Sequence, residues 1–443
     1  MVLNILGVVL LLSFLSSNEV MEYPKTKKED INEKIFGKNI QDPYRWLEDF
    51  TDENVIEWVN EQNKFTNEFL ENDYQKKIKK DLKDIWITED ISIPFRREDK
   101  TFYFFSDGKK QQAVLMMEDC IKCDPEVILD PNEFSEDGTV SLSDISVSPN
   151  GEYLAFSLSD GGSDWKTWKV LDIKERKETD DLVRWSKFSY ATWESDSSGF
   201  YYQKYQQPDE VLSDINRSPQ LFFHRLGDKQ DEDKLIYEDK ENPDFSWSIN
   251  VPEKGSYRIL SIGEGTDERN FLYISLDGSS NFVPVIDKFE ATYRFLGGNE
   301  DTLWFFSNLE ASNGRILSLQ IKDDGFIWNE VVQERKFPIS GASVVGDKLI
   351  INYLEDTISR VEFFNLNGDF IKKLEFQEEG TLSGFSGKLG KRHSFFQFSN
   401  FINPQSIYEL DLDTLEFKLY WKNKIKNLVI ENYETKLNFY ESK

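Results

Sequence analysis

The stretch SPNGEYLAFSLSDGGSDWKTWKVLDI, residues 148–173, sets a polar turn around Gly151, an apolar run at 153–156, a second turn at Gly161 and Gly162, and a second run at 168–173. Short aromatic and β-branched runs separated by Gly- and Asp-rich turns read as antiparallel strands joined by hairpins. The same order returns along the chain. First runs stand at 102–105, 153–156, 200–202, 257–262, 303–306, 349–353 and 395–398, about 45 to 57 residues apart. A second run follows each, at 113–117, 168–173, 221–226, 271–276, 316–321, 361–366 and 407–412. A further strand is visible in six repeats, at 126–129, 234–237, 282–286, 330–333, 370–376 and 417–420, and shorter segments such as 142–147, 188–193 and 382–385 precede several first runs. Four strands per repeat is the count of a propeller blade. A single four-stranded sheet cannot cover both its faces, whereas blades set around an axis cover one another. The expectation is an all-β fold, a seven-bladed β-propeller of four-stranded blades over 91–424. A solenoid of seven sheets is the competing arrangement and would need protected ends.

At 443 residues the chain has room for two domains or one large ring. Aromatic residues make up 14% of it and supply large side chains for faces between blades. The net charge of −28 excludes nucleic acid as a partner, because phosphate binding needs a positive footprint, and it disfavours docking on anionic lipid. It serves the solvation of a large β surface and would attract cationic peptides. Cys120 and Cys123, in CIKC, have the spacing of half a zinc site or of a redox pair. With only His224 and His393 elsewhere, they are read as a loop feature, and no motif asks for a metal or a cofactor. An apolar stretch at 5–15 is too short for a membrane span and has the form of a signal h-region, though no Lys or Arg precedes it. Residues 1–20 are therefore a candidate signal peptide, implying a secreted or periplasmic protein; a start at Met21 would instead imply the cytoplasm.

Residues 21–90 read differently from the repeats. Val55, Trp58, Val59, Phe65, Phe69 and Leu70 recur at helical spacing, and two helices are expected, about 53–71 and 74–85. A short α-helical segment thus precedes the propeller. Before it stands DPYRWLED, residues 42–49, in which Pro43 favours a turn or a helix start.

With this cluster the chain resembles the prolyl oligopeptidases, serine peptidases that cleave after proline in short peptides. The resemblance runs over about residues 21–443 and is carried by DPYRWLED, by WVNEQNKFT at 58–66, LDPNEFSEDGTVSL at 129–142, VSPNGEYLAFSLSDGGSDW at 147–165, ILSIGEGTDERNFLYI at 259–274, GTLSGFSGK at 380–388 and INPQSIYELDL at 402–412. It implies a seven-bladed propeller capping an α/β-hydrolase domain, a propeller that filters substrates by size, and a ring left unlatched between its first and seventh blades. It also implies that Phe188, in WSKFSYATW at 185–193, faces the substrate as an aromatic wall; the other reading of Phe188 is a buried inner-strand aromatic. Where many relatives carry an arginine before the EGT turn, this chain has Gly263.

The peptidase chemistry itself is missing from the sequence. A serine peptidase needs a nucleophile on a sharp strand-to-helix turn, a histidine to take its proton and a carboxylate to orient that histidine. No G-x-S-x-G is present. The nearest pentapeptide, Gly384-Phe385-Ser386-Gly387-Lys388, lacks the final glycine and falls in the first strand of the last repeat. His224 is read as a strand residue and His393 as a turn residue, so no catalytic residue is assigned. Residues 425–443, with Leu428, Ile430, Leu437 and Phe439, resemble the crossing into a hydrolase domain and its first strand. The expectation is the N-terminal and propeller portion of a serine endopeptidase of this family, truncated and inactive alone. Its partners are short peptides and a hydrolase domain, in the full-length protein or in trans. The alternatives are a stand-alone propeller that binds peptides or proteins, and a complementing subunit of a split peptidase.

Overall fold

The second strand of each repeat carries large apolar side chains on both of its faces, and this alone requires a sheet on either side of it. In the computed structural model, which describes residues 23–120, 123–208, 216–323, 325–424 and 432–442, that requirement is met by a ring. The candidate signal at 1–20 and the first part of the 425–443 crossing lie outside the described residues. The chain divides into two compact units, Met1–Trp86 and Ile87–Lys443.

The second unit holds seven blades, each an antiparallel sheet whose strands follow in chain order from the axis outward. Blade 1 has a split inner strand, Asp90–Ile91 and Phe95–Arg97, then Lys100–Ser106, Val114–Glu118 and Glu126–Leu129. Blade 2 runs Val140–Val147, Tyr153–Asp160, Trp165–Asp172 and Lys177–Lys187, and blade 3 runs Thr192–Trp193, Gly199–Lys204, Gln220–Arg225 and Lys234–Glu238. Blade 4 comprises Phe245–Asn250, Arg258–Glu264, Phe271–Ser275 and Val283–Ile286; blade 5, Tyr293–Gly298, Thr302–Ser307, Arg315–Lys322 and Gly325–Val332. Blade 6 is Ile339–Val345, Lys348–Glu355, Ile358–Asn365 and Phe370–Lys373, and blade 7 is Thr381–Ser386, His393–Ser399, Ser406–Asp411 and Phe417–Lys422. Blades 2 and 3 are also joined by one backbone pairing, Ser186 with Lys204.

The two-residue period of the second strands sorts their side chains between neighbours. Leu154 and Phe156 pack toward blade 1 and Ala155 toward blade 3; Leu303 and Phe305 toward blade 4 and Trp304 toward blade 6. Phe396 and Phe398 face blade 6, while Phe395 faces blade 1, where Ile91, Tyr103 and Ile407 complete a buried cluster. A solenoid would leave Tyr103 and Phe395 in water. They are 8% and 2% exposed, so the ring closes on itself. It closes through side-chain contacts and without a shared strand, since every described strand of blade 1 comes from 90–129 and every one of blade 7 from 381–422.

The first unit begins with a hairpin, Asn32–Ile35 and Lys38–Gln41, followed by a short 3-10 turn, Arg45–Glu48. Arg45 ties this segment together, donating to Asp42 at 2.6 Å and to Glu33 at 2.7 Å. Helix α1 spans Glu53–Leu70 and helix α2 Asp73–Trp86, within a residue or two of the expected bounds. The Asp52 side chain caps α1 by accepting the Asn54 N–H at 2.7 Å, which satisfies one of the free donors of the first turn. Helix α2 buries no residue, although Ile78, Leu82 and Ile85 recur along one face. At the other end of the chain, residues 432–442 form no strand and stay exposed. No described helix is long and apolar enough to cross a membrane.

Candidate functional site at the two ends of the ring

Neighbouring strands in a blade are antiparallel, so turns between first and second strands gather at one end of the ring and turns between second and third strands at the other. The first end is built from tight turns such as Ser148–Gly151. There the buried Ser148 hydroxyl oxygen accepts the Tyr153 N–H at 2.9 Å, and Gly151, at φ 69°, turns the chain back. These turns surround a cavity of about 550 Å³ lined from blades 1, 2, 3, 4 and 7. Glu253 of blade 4 and Lys388 of blade 7, which are not neighbours in the ring, meet there at 3.2 Å. Burial pushes the Glu253 carboxyl up from its ordinary pKa and the Lys388 ammonium down, each only partly offset by the other's charge. Val147, Val251 and Pro252 form the apolar part of the wall, beside Trp193, whose Nε1 donates to the Ser146 carbonyl at 2.9 Å.

At the opposite end, Phe188 lies between Lys187, which closes the outer strand of blade 2, and the short inner strand Thr192–Trp193. Its φ of 51° takes it out of strand geometry, and its side chain is 64% exposed. The buried inner-strand reading of Phe188 is therefore overturned: the inner strand of blade 3 is only two residues long and begins four residues later. Lys187 Nζ sits 5.2 Å from the Phe188 ring centre and Lys166 Nζ 5.5 Å from that of Tyr190, itself exposed. Phe401, in the turn between the second and third strands of blade 7, is exposed at the same end. Gly263 pairs with Ser246 in blade 4, and a Cβ there would meet only the Ser246 hydroxyl at 3.8 Å. The position has room for a side chain and carries none.

His224 is a strand residue, as expected, but not an idle one. It is fully buried, with Nδ1 2.7 Å from Asp233 and Nε2 3.0 Å from Asp181. Asp181 also accepts from the Thr179 hydroxyl at 2.5 Å and from the Gly227 N–H at 2.6 Å, and Asp233 from the Tyr202 hydroxyl at 2.6 Å. Both ring nitrogens are committed to carboxylates, so this imidazole cannot serve as a base for a nucleophile. His393 opens the second strand of blade 7 rather than standing in a turn, and its Nδ1 is buried 3.7 Å from Glu409, beyond hydrogen-bond distance. Ser386 sits in the inner strand of blade 7, opposite Phe395, and not on a strand-to-helix turn. Cys120 and Cys123 are joined to each other in a disulfide. Among the described residues, no group of three or more His, Cys, Asp or Glu side chains is arranged to hold a metal ion.

Residues 23–423 match the family model described as the prolyl oligopeptidase N-terminal beta-propeller domain. The chain belongs to the prolyl oligopeptidase family. It is 33% identical over 430 residues to a prolyl endopeptidase of Elizabethkingia meningoseptica, covering 96% of this chain and 60% of that protein. A prolyl endopeptidase of Dictyostelium discoideum is 26% identical over 494 residues, covering 95% and 65%. Among solved structures, prolyl oligopeptidase B of Galerina marginata, bound to a 35mer hydrolysis and macrocyclization substrate, superposes with a TM-score of 0.85 at 23% identity, over 95% of this chain and 63% of that one; at this identity the likeness shows the fold. The chain spans about 60% of the length of the two curated Elizabethkingia prolyl endopeptidases that it matches.

Sequence reasoning missed Arg97, Glu253 and Lys388, although each occupies, or directly adjoins, the turn after an inner strand of the prolyl oligopeptidase propeller. Aligning the seven repeats at that turn would have set these charges side by side.

Proposed function

We propose that this chain is the N-terminal helical and propeller portion of a prolyl-oligopeptidase-like serine endopeptidase, and that its ring admits short proline-containing peptides while turning away folded proteins. The observation that carries this reading is the Glu253–Lys388 ion pair, which joins two non-adjacent blades across the axis at 3.2 Å. An opening that one side-chain pair can bridge passes an extended peptide at most. The nucleophile, base and orienting carboxylate are contributed by a hydrolase domain, in the same polypeptide or in trans, because His224 is locked between carboxylates and Ser386 lies within a sheet.

Phe188, Tyr190 and Phe401 favour the end at which that domain sits. Exposed aromatic rings at one end of a ring mark a surface that another body covers. Phe188 then serves as an aromatic wall against the proline-containing substrate. The open position at Gly263 leaves out one charged contact, so peptide affinity rests more on apolar surface. The test is direct. The purified chain, incubated with a chromogenic Gly-Pro reporter peptide, gives no turnover above a blank, while a labelled short proline-containing peptide binds and a folded protein of the same charge does not. Turnover by the chain alone overturns the reading. Peptide binding without turnover after addition of a relative's separately expressed hydrolase domain favours a stand-alone binding propeller.

A further inference from the structure

We propose that the cavity at the first end of the ring is a carboxylate site, which takes the free C-terminal carboxylate of a short peptide on Arg97 and Lys388. This rests on the reading that short peptides enter the ring, and it adds which end of the peptide is held, and where.

In a chain of net charge −28, four cations gather around this one cavity: Arg96, Arg97, Lys388 and Lys391. Three of them already have carboxylates. Arg96 pairs with Glu409 at 2.9 Å, Lys388 with Glu253 at 3.2 Å and Lys391 with Glu98 at 3.1 Å. Arg97 has none within ion-pair distance among the described residues, and only the more distant charge of Glu253 acts on it. Its one hydrogen bond runs from Nη1 to the Arg96 carbonyl at 2.9 Å, and its guanidinium lies over the Phe95 ring at 5.4 Å. The guanidinium fork is therefore held in place by its own neighbours with most of its N–H groups unused, the arrangement suited to bidentate capture of a carboxylate.

The surroundings strengthen this assignment. Burial lowers the pKa of Arg97 and of Lys388, so both cations have lost part of their water, and an entering anion returns what they lack. Among the described residues, the acid whose charge acts on both is Glu253, itself held above its ordinary pKa by burial, so one carboxylate serves two cations. Val147, Val251, Pro252 and Trp193 give an apolar wall for the residues preceding the bound terminus. A terminal carboxylate is favoured over a side-chain acid because the opening is narrow and a chain end enters first.

The experiment measures fluorescence anisotropy of an N-terminally labelled proline-containing pentapeptide with a free C-terminal carboxylate, against the same peptide as its C-terminal amide, on the full chain at low salt. The acid is expected to bind at least tenfold more tightly. Arg97→Gln should bring the two affinities together, and Lys388→Gln should weaken the acid several-fold while leaving the amide unchanged. Equal affinities of acid and amide on the unaltered chain overturn the carboxylate site and leave the peptide-admitting ring standing; if neither peptide binds, both fall. Retention of the tenfold difference in Arg97→Gln overturns the assignment to that residue. Should circular dichroism show that Arg97→Gln does not fold, Lys388→Gln and the acid–amide comparison decide. Displacement of the acid by inorganic phosphate as effectively as by unlabelled acid peptide overturns the peptide terminus as the ligand.

Discussion

His224 shows how much one side chain can hold in a sheet of this kind. A neutral imidazole has a single N–H and could donate to only one of Asp181 and Asp233, which lie 3.0 and 2.7 Å from its two nitrogens. Burial is the largest single influence on its pKa and pushes it down, but hydrogen bonds and charge from the two carboxylates together outweigh it and hold the pKa at about 9, against an ordinary 6.5. The folded state thus binds the proton more tightly than the unfolded one. The resulting stability is fully present below about pH 6.5 and is lost as pH rises through about 9. A shift of this size corresponds to on the order of 3 kcal/mol. Urea unfolding of the intact chain should therefore show a clear loss of stability between pH 6 and pH 9.5. His224→Gln should be destabilised at pH 6 and lose much less over that window. Equal pH slopes for the two proteins would mean that the imidazole is neutral in the fold. Phe188 is the opposite case. Its ring stands in solvent, so Phe188→Ala should leave the unfolding free energy within about 0.5 kcal/mol of the parent. A larger loss would show that the ring packs against the blades and is not an open wall.

At the level of elements, the tightest constraint is in the hairpin between the third and fourth strands of blade 6. Gly368 has φ 91°, and a Cβ there would stand 2.0 Å from the carbonyl oxygen of Val331, in the outer strand of blade 5. Gly368→Ala meets both a left-handed backbone and a main-chain atom that cannot move aside without bending a strand. It is expected to cost about 2–4 kcal/mol in thermal unfolding, and a cost below 0.5 kcal/mol would mean that the hairpin shifts freely against blade 5. The same elements show what could be read in advance. The second and third strands were legible because each is a run of large apolar residues bounded by turns, and α1 and α2 because their apolar positions keep helical spacing. Inner strands were harder: Thr192–Trp193 is too short to carry a period, and that of blade 1 is broken at 92–94. The candidate site was least legible. Arg97, Glu253 and Lys388 come from blades 1, 4 and 7 and are brought together only by the ring, so they stand out only when the repeats are aligned at the turn after the inner strand.

Closure itself is the weakest joint of the whole molecule. Consecutive blades are linked by the chain, but blades 7 and 1 are not, and their buried apolar cluster, Ile91, Tyr103, Phe395 and Ile407, is smaller than that at any of the other six joints. Polar contacts make up part of the difference. Arg96 donates to the buried Glu409 at 2.9 Å and lies over Phe395, the Tyr420 hydroxyl donates to Glu118 at 2.8 Å, and Gln405 Nε2 donates to the Ile91 carbonyl at 2.7 Å. Removing Arg96 leaves Glu409 to Lys418 alone at 2.7 Å, and removing the Tyr420 hydroxyl frees Glu118, each at about 1–3 kcal/mol. Because the Arg96–Glu409 and Tyr420–Glu118 contacts bridge blades 7 and 1 and no other pair of blades, the double variant Arg96→Met with Tyr420→Phe should weaken this joint and spare the others. Amide hydrogen exchange measures it blade by blade. Exchange should quicken at least tenfold in the second strands of blades 1 and 7, Lys100–Ser106 and His393–Ser399, while Arg258–Glu264 of blade 4 and Thr302–Ser307 of blade 5 keep their protection. That outcome would make the seam a place where the ring opens without unfolding. A uniform rise in all blades would instead mean that the seven sheets open only together, and that peptides must enter along the axis.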